Sequence, residues 1–146
     1  MILSINENGR ENMPKVSKFI YCMNSNTSDT EANALGVISA ITPDFVPGAF
    51  SFSILCSILD LEEKEYGISI QFINPKGEVL VDVNGTVQYK ENVKTNLPKE
   101  YEEINISSNW QNVLFKESGI YKTIVKIDDM DCGTFEIYVK GKNEED

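Results

Sequence analysis

The stretch "DDMDCG", residues 128–133, sets Asp129 and Asp131 two positions apart and ends in Gly133. A calcium loop begins with this spacing, because alternating carboxylates there present oxygens to a hard cation. Such a loop closes with a glutamate at its twelfth position, which is Val139 counted from Asp128 and Lys140 counted from Asp129. Asp and Gly are also what a tight hairpin turn requires, so a turn and no metal is expected. "DLEEKEYG", residues 60–67, gathers Asp60, Glu62, Glu63 and Glu65. Paired carboxylates do acid–base work only where burial separates their pKa values. A charged run between two strands reads instead as a solvated loop.

The remaining chemistry is sparse. Cys22, Cys56 and Cys132 are far apart, and the chain has no histidine, so a zinc site has nothing to build with. Cys22 and Cys56 sit in apolar runs as small hydrophobes. Cys132 has Asp131 beside it, the wrong charge to activate a thiol. No nucleophile signature or glycine-rich phosphate loop is present, so neither an enzyme nor a cofactor is expected. The net charge is −10 and Arg10 is the only arginine. Nucleic acid is thereby disfavoured, since phosphate backbones call for clustered positive charge and arginine forks. The acidity serves solubility and suits a basic protein partner.

In the 146 residues no apolar run is long enough to span a bilayer, and the polar start "MILSINENGREN" lacks the pattern of a secretory signal. A cytoplasmic protein without membrane contact is expected. Met13 offers an alternative start. Residues 1–14 read as a polar lead-in, 15–140 as one domain and 141–146 as an acidic, solvated tail. Asn-, Ile- and Lys-rich, arginine-poor usage points to an AT-rich bacterial or phage genome.

Period-two alternation dominates from residue 50 onward. Phe50, Phe52, Ile54, Cys56 and Ile58 share one face against Ser51, Ser53 and Ser57. Tyr66, Ile68, Ile70 and Phe72 alternate with Gly67, Ser69 and Gln71 before the turn "NPKG". Val79, Val81, Val83, Gly85, Val87 and Tyr89 keep one parity, with Gly85 suggesting a bulge. Residues 90–100 read as a loop, "YEEINIS" and "NVLF" as two strands, and "IYKTIVKI" and "TFEIYVK" as the last two. Earlier, "VSKFIYCM" reads as a strand and "NSNTSDTE" as a loop, while "ANALGVISAI" is a central strand or a helix fragment. Eight or nine short strands make an all-β antiparallel sandwich, Ig-like or fibronectin-like, with little or no helix. Pro43, Pro47 and Gly48 interrupt "GVISAITPDFVPGAFSFSI" where the chain leaves one sheet after Ile41 and enters the other at Phe50. Gly48 would supply a positive φ at this corner, and Phe45 and Val46 would plug the end of the sandwich.

The order of "KFIYCM", "ALGVISAI", "FVPGAFSFSI", "ISIQFINPKGEVL" and "LFKESGIYKTIVKIDDMDCGTFEIYV" resembles a family of small uncharacterised bacterial β-sandwich proteins, known only as a domain of unknown function. The resemblance covers about residues 15 to 140, departing at the longer acidic "DLEEKEYG" and at the 90–100 loop. It implies an Ig-like sandwich with no known activity, and no catalytic residue carries over.

The expected function is a non-enzymatic protein-binding or accessory module that recognises an unidentified protein partner through a loop end or a free sheet edge, with a homodimer as a variant. Candidate contact residues are Trp110, Phe45, Val46, Glu62, Glu63 and Tyr138. Trp110 anchors a partner only if it is exposed, since in sandwiches a lone tryptophan is more often core. The rival reading is a small-ligand-binding protein with an apolar pocket at the sandwich end near Phe45, Val46 and Trp110.

Overall fold

A computed structural model describes residues 13–28, 31–90 and 102–144. Its two sheets follow the expected alternation. The first contains β1 (Lys15–Thr27), β2 (Ala32–Val37), β4 (Gly48–Leu59) and β7 (Ile104–Phe115), in the order β2-β1-β4-β7. The second contains β3 (Ala40–Ile41), β5 (Glu65–Ile73), β6 (Val79–Gln88), β8 (Gly119–Ile127) and β9 (Met130–Val139), in the order β3-β9-β8-β5-β6. Pairing is antiparallel except between β3 and β9, where Ala40 and Ile41 run parallel to Tyr138 and Val139. Among the described residues there is no helix. The all-β sandwich is the fold observed.

The inward-facing residues of the alternating strands meet in an aromatic core. Phe52 of β4 lies edge-on to Phe72 of β5 at 5.3 Å and to Trp110 of β7 at 5.2 Å. Tyr121 of β8 stacks on Phe72 at 5.6 Å and packs edge-on against Phe115 at 5.1 Å. Each such ring, taken from water into the core, contributes about 1.5–3 kcal/mol.

The serine face of β4 is buried too: Ser53, Leu55 and Ser57 are all enclosed. Beyond Cys22, β1 leaves the β4 ladder and stays paired with β2. Ser25 then lies against the Ser53 hydroxyl and donates to the Ile54 carbonyl, and Asn109 of β7 reaches the Ser25 carbonyl. The β1–β2 hairpin therefore crosses over β4 and covers it. That accounts for the first misreading: "NSNT", expected as loop, is the second half of β1.

"ANALGVISAI" is neither a central strand nor a helix. It divides between β2 on the edge of one sheet and β3 on the edge of the other. After Ile41 the chain crosses back and enters β4, as the prolines suggested, with a cis Val46–Pro47 peptide in the crossing. The reason for Gly48 is different from the one expected. It lacks a positive φ, but a Cβ there would stand 2.2 Å from the Phe45 carbonyl oxygen. The glycine serves close backbone approach. Val46 is buried as a plug, whereas Phe45 is 66% exposed and plugs nothing. The described part of the expected tail is tied to this crossing: Lys142 N–H donates to the Pro43 carbonyl, and Asn143 Oδ1 accepts from Val46 N–H.

Two further expectations change. The "INIS" of "YEEINIS" and "NVLF" belong to one strand, β7, kinked where Asn112 takes φ 53° and its N–H donates to Ser51 Oγ at 2.9 Å. Gly85 pairs with Ile68 in regular register, and the bulge in the β5–β6 ladder falls instead between Phe72 and Ile73.

Candidate functional site

A sheet's outermost strands present unpaired N–H and C=O groups, and proteins usually blunt them with brevity, charge, proline or bulges. Three of the four edges here carry such a device. β3 is only two residues long, β6 carries Asp82, and β2 is interrupted by Gly36 at φ 67°. β7 is different. It runs for twelve residues, "INISSNWQNVLF", with no charged residue and no proline, and its one irregularity is at Asn112, near the far end. Among the described residues no strand pairs with its outer side.

The side chains of β7 hold it rigidly from within. Trp110 points into the core, 4% exposed, and its indole N–H donates to Ser108 Oγ at 2.8 Å. Ile104 and Ile106 pack with Ile58, Leu61, Tyr66, Ile68 and Val87 at one corner of the sandwich. On the outer face Asn105 accepts from Ser57 Oγ at 2.6 Å, and Ser53 Oγ donates to the Ser108 carbonyl at 2.9 Å. Just before the strand, Glu103 accepts from Ser17 and Lys18, and Glu102 accepts from the Tyr89 hydroxyl. The entry to the edge is acidic and anchored.

The residues singled out by sequence do not converge. Trp110 is buried, so the condition for its being a partner anchor is not met. Val46 is buried as well. Phe45 is exposed beside an open depression of about 310 Å³ lined by Thr42, Asp44, Gly48, Ala49, Phe50 and Lys142, and neither Val46 nor Trp110 takes part in it. Among the described residues this depression does not bring Phe45, Val46 and Trp110 together. Tyr138 is 50% exposed on the outer face of the second sheet, opposite Ile120. Glu63 is exposed and Glu62 half-buried, with the Glu62 N–H donating to the Tyr66 hydroxyl at 2.7 Å.

"DDMDCG" is a hairpin turn. Asp128 and Asp129 occupy its two corners at φ 49° and 64°, and Asp131 already lies on β9. Asp128 accepts from the Gly67 N–H at 2.8 Å and from Lys64 at 3.2 Å. The backbone hydrogen bond, aided by Lys64, holds its carboxyl below the usual range. Among the described residues no group of three metal-ligating side chains occurs. Burial raises the Cys22 thiol and pushes Cys56 up to about 12. Cys132 is raised by burial and by the carboxylates of Asp131 and Asp128. All three lack the conditions for a thiolate.

The β7 edge escaped the sequence reading because Ser108, Asn109 and Gln111 interrupt its apolar residues and divide it into two short strands. Its signal was nonetheless present as twelve consecutive residues without a charge.

The model of a family of unknown function, DUF6941, matches residues 18–140. No curated protein matches the chain. Among solved structures, an immunoglobulin-like protein from Pseudomonas aeruginosa is similar at 11% identity, over 88% of this chain and 97% of that one, with a TM-score of 0.43. The CARDB domain of a Pyrococcus furiosus protein is similar at 10% identity over 84% and 88%, with a TM-score of 0.38. A Listeria innocua β-glucosidase is similar at 12% identity with a TM-score of 0.44; the match covers 91% of this chain and 17% of the enzyme.

Proposed function

The chain belongs to this family of unknown function, and from that premise we propose that it is a non-enzymatic protein-binding module that takes an extended segment of a partner along the free edge of β7. One observation carries the reading: a twelve-residue, uncharged, proline-free strand stands at the end of its sheet. Main-chain hydrogen bonds along such an edge provide affinity, and side chains at alternate positions provide selectivity. The core behind the strand, with Trp110 locked against Phe52 and Phe72, keeps the edge preformed.

A pull-down of tagged protein from native lysate tests this, with the wild type beside a Ser107→Lys, Gln111→Lys variant. Lysines on an edge strand obstruct pairing. A stoichiometric partner should be lost from the edge variant and kept by Glu62→Lys, Glu63→Lys and by Tyr138→Ala. A partner kept by the edge variant and lost with the glutamates would move the site to the 60–65 loop and overturn the edge reading.

A further inference from the structure

When glycine follows asparagine, its main-chain nitrogen can turn back on the side-chain amide, because no Cβ hinders the approach or restricts the rotation it needs. Asn84–Gly85 of β6 is such a pair, and both residues are exposed. A Cβ at Gly85 would meet nothing within 4 Å, so no other element crowds that side of the pair. The Asn84 side chain lies on the face opposite Val83 and Val87, where its Nδ2 donates to Asp82 Oδ1 at 3.0 Å. That contact holds the amide nitrogen, the group that would leave, and not the carbonyl.

The ladder restrains the other partner. Tyr89 N–H donates to the Lys64 carbonyl at 3.1 Å, and the register runs unbroken from the Glu65–Gln88 pair to the Ile70–Val83 pair. Bonds between antiparallel strands fall on every second facing pair, so they fall on Ile68 and Gly85 and skip Ser69 and Asn84. The Gly85 N–H is therefore held toward Ile68. The extended backbone at Asn84 keeps that nitrogen away from Cγ.

We propose that Asn84 is a site of spontaneous covalent modification, converting to aspartate and isoaspartate when β6 opens locally from β5 around Gly85. Local opening of a few ladder bonds costs less than global unfolding. Once freed, the Gly85 nitrogen gives its proton to water and bonds to Asn84 Cγ. The Cγ–Nδ2 bond breaks and the amide nitrogen leaves as ammonia. Water then adds to either carbonyl of the cyclic imide and breaks that carbonyl's bond to the Gly85 nitrogen. Cleavage at the side-chain carbonyl gives aspartate, and cleavage at the main-chain carbonyl gives isoaspartate. Either product adds a carboxylate near Asp82 to a chain already at −10. Isoaspartate also routes the main chain through the side-chain carbons. The lengthened strand can no longer keep Val83 and Val87 in one register against Ile70 and Tyr66.

The test incubates the full chain at mildly alkaline pH and follows Asn84 by peptide mapping and mass spectrometry, with isoaspartate scored by an isoaspartyl methyltransferase. A synthetic peptide of residues 80–90 gives the rate without the ladder. Asn84 should convert in the folded chain, but about tenfold or more slowly than in the peptide. Val87→Ala removes a half-buried contact of β6 and should speed conversion in the chain, as should urea below the unfolding transition. Gly85→Ala should slow conversion about tenfold or more in chain and peptide alike, with melting curves confirming that both variants fold. Asn84 left intact in the chain and in Val87→Ala after the peptide has converted would overturn the proposal. A chain that converts as fast as the peptide, or indifferently to both Val87→Ala and urea, would also overturn it, because local opening would then control nothing.

Discussion

Tyr21 of β1 and Thr123 of β8 meet between the two sheets with their hydroxyl oxygens 2.6 Å apart, both residues buried. Tyr21 has one proton and donates it to the Phe135 carbonyl at 2.9 Å, so the Thr123 hydroxyl is the donor to Tyr21. Removing the phenol leaves Thr123 without its acceptor and Phe135 without a donor. Tyr21→Phe should cost about 1–3 kcal/mol in denaturant unfolding. Adding Thr123→Val to Tyr21→Phe should cost less than the two single losses summed, because the Thr123 hydroxyl is then no longer stranded. Full additivity in this cycle would show that the two hydroxyls are energetically independent.

Trp110 is core. Trp110→Ala should destabilise by about 3–5 kcal/mol, the range for deleting a buried large ring. As the only tryptophan, it also reports on the fold directly: native emission should be blue-shifted and move red in a single step as denaturant rises. Native emission already at the wavelength of free tryptophan would contradict its burial.

Asp128 links the β8–β9 turn to Gly67 and Lys64. Its folded pKa is lowered, so its contribution is present above the unfolded value and is lost as pH falls through the folded one. The window lies below about pH 4, where an unperturbed aspartate titrates. Asp128→Asn tolerates the left-handed backbone and still accepts from Gly67, so at neutral pH it should cost under about 1 kcal/mol, the worth of an exposed pair. Across pH 5 to 2 the wild type should lose more melting temperature than the variant. Superimposable profiles would remove Asp128 from the acid limb.

Gly48 and Gly85 make opposite forecasts for the same substitution. At Gly48 a methyl group meets a backbone oxygen at 2.2 Å, so Gly48→Ala should cost about 3 kcal/mol or more through overpacking. At Gly85 the space is open, and Gly85→Ala should be neutral or stabilise by up to about 1 kcal/mol. Thermal melts of the two variants side by side check both, and equal losses would refute the distinction.

Much of the sandwich was legible because a two-residue apolar period can bury a side only as a strand. Tyr66 through Phe72 and Tyr121 through Ile127 alternate as written in the chain. The crossing between sheets was legible too, since prolines cannot donate to a ladder. The misreadings share a cause. "NSNT" pairs as strand because "ANAL" folds back against it, and polar composition carries no record of that distant pairing. Phe45 and Trp110 are both large aromatics, yet one faces solvent and the other the core.

Local chemistry thus determined that the alternating segments extend and where the chain turns between them. Tertiary structure decided which strands became edges. Edge position is a property of the whole sheet order: β4 and β7 are each twelve residues long and free of charge, and only the neighbours they pair with distinguish them.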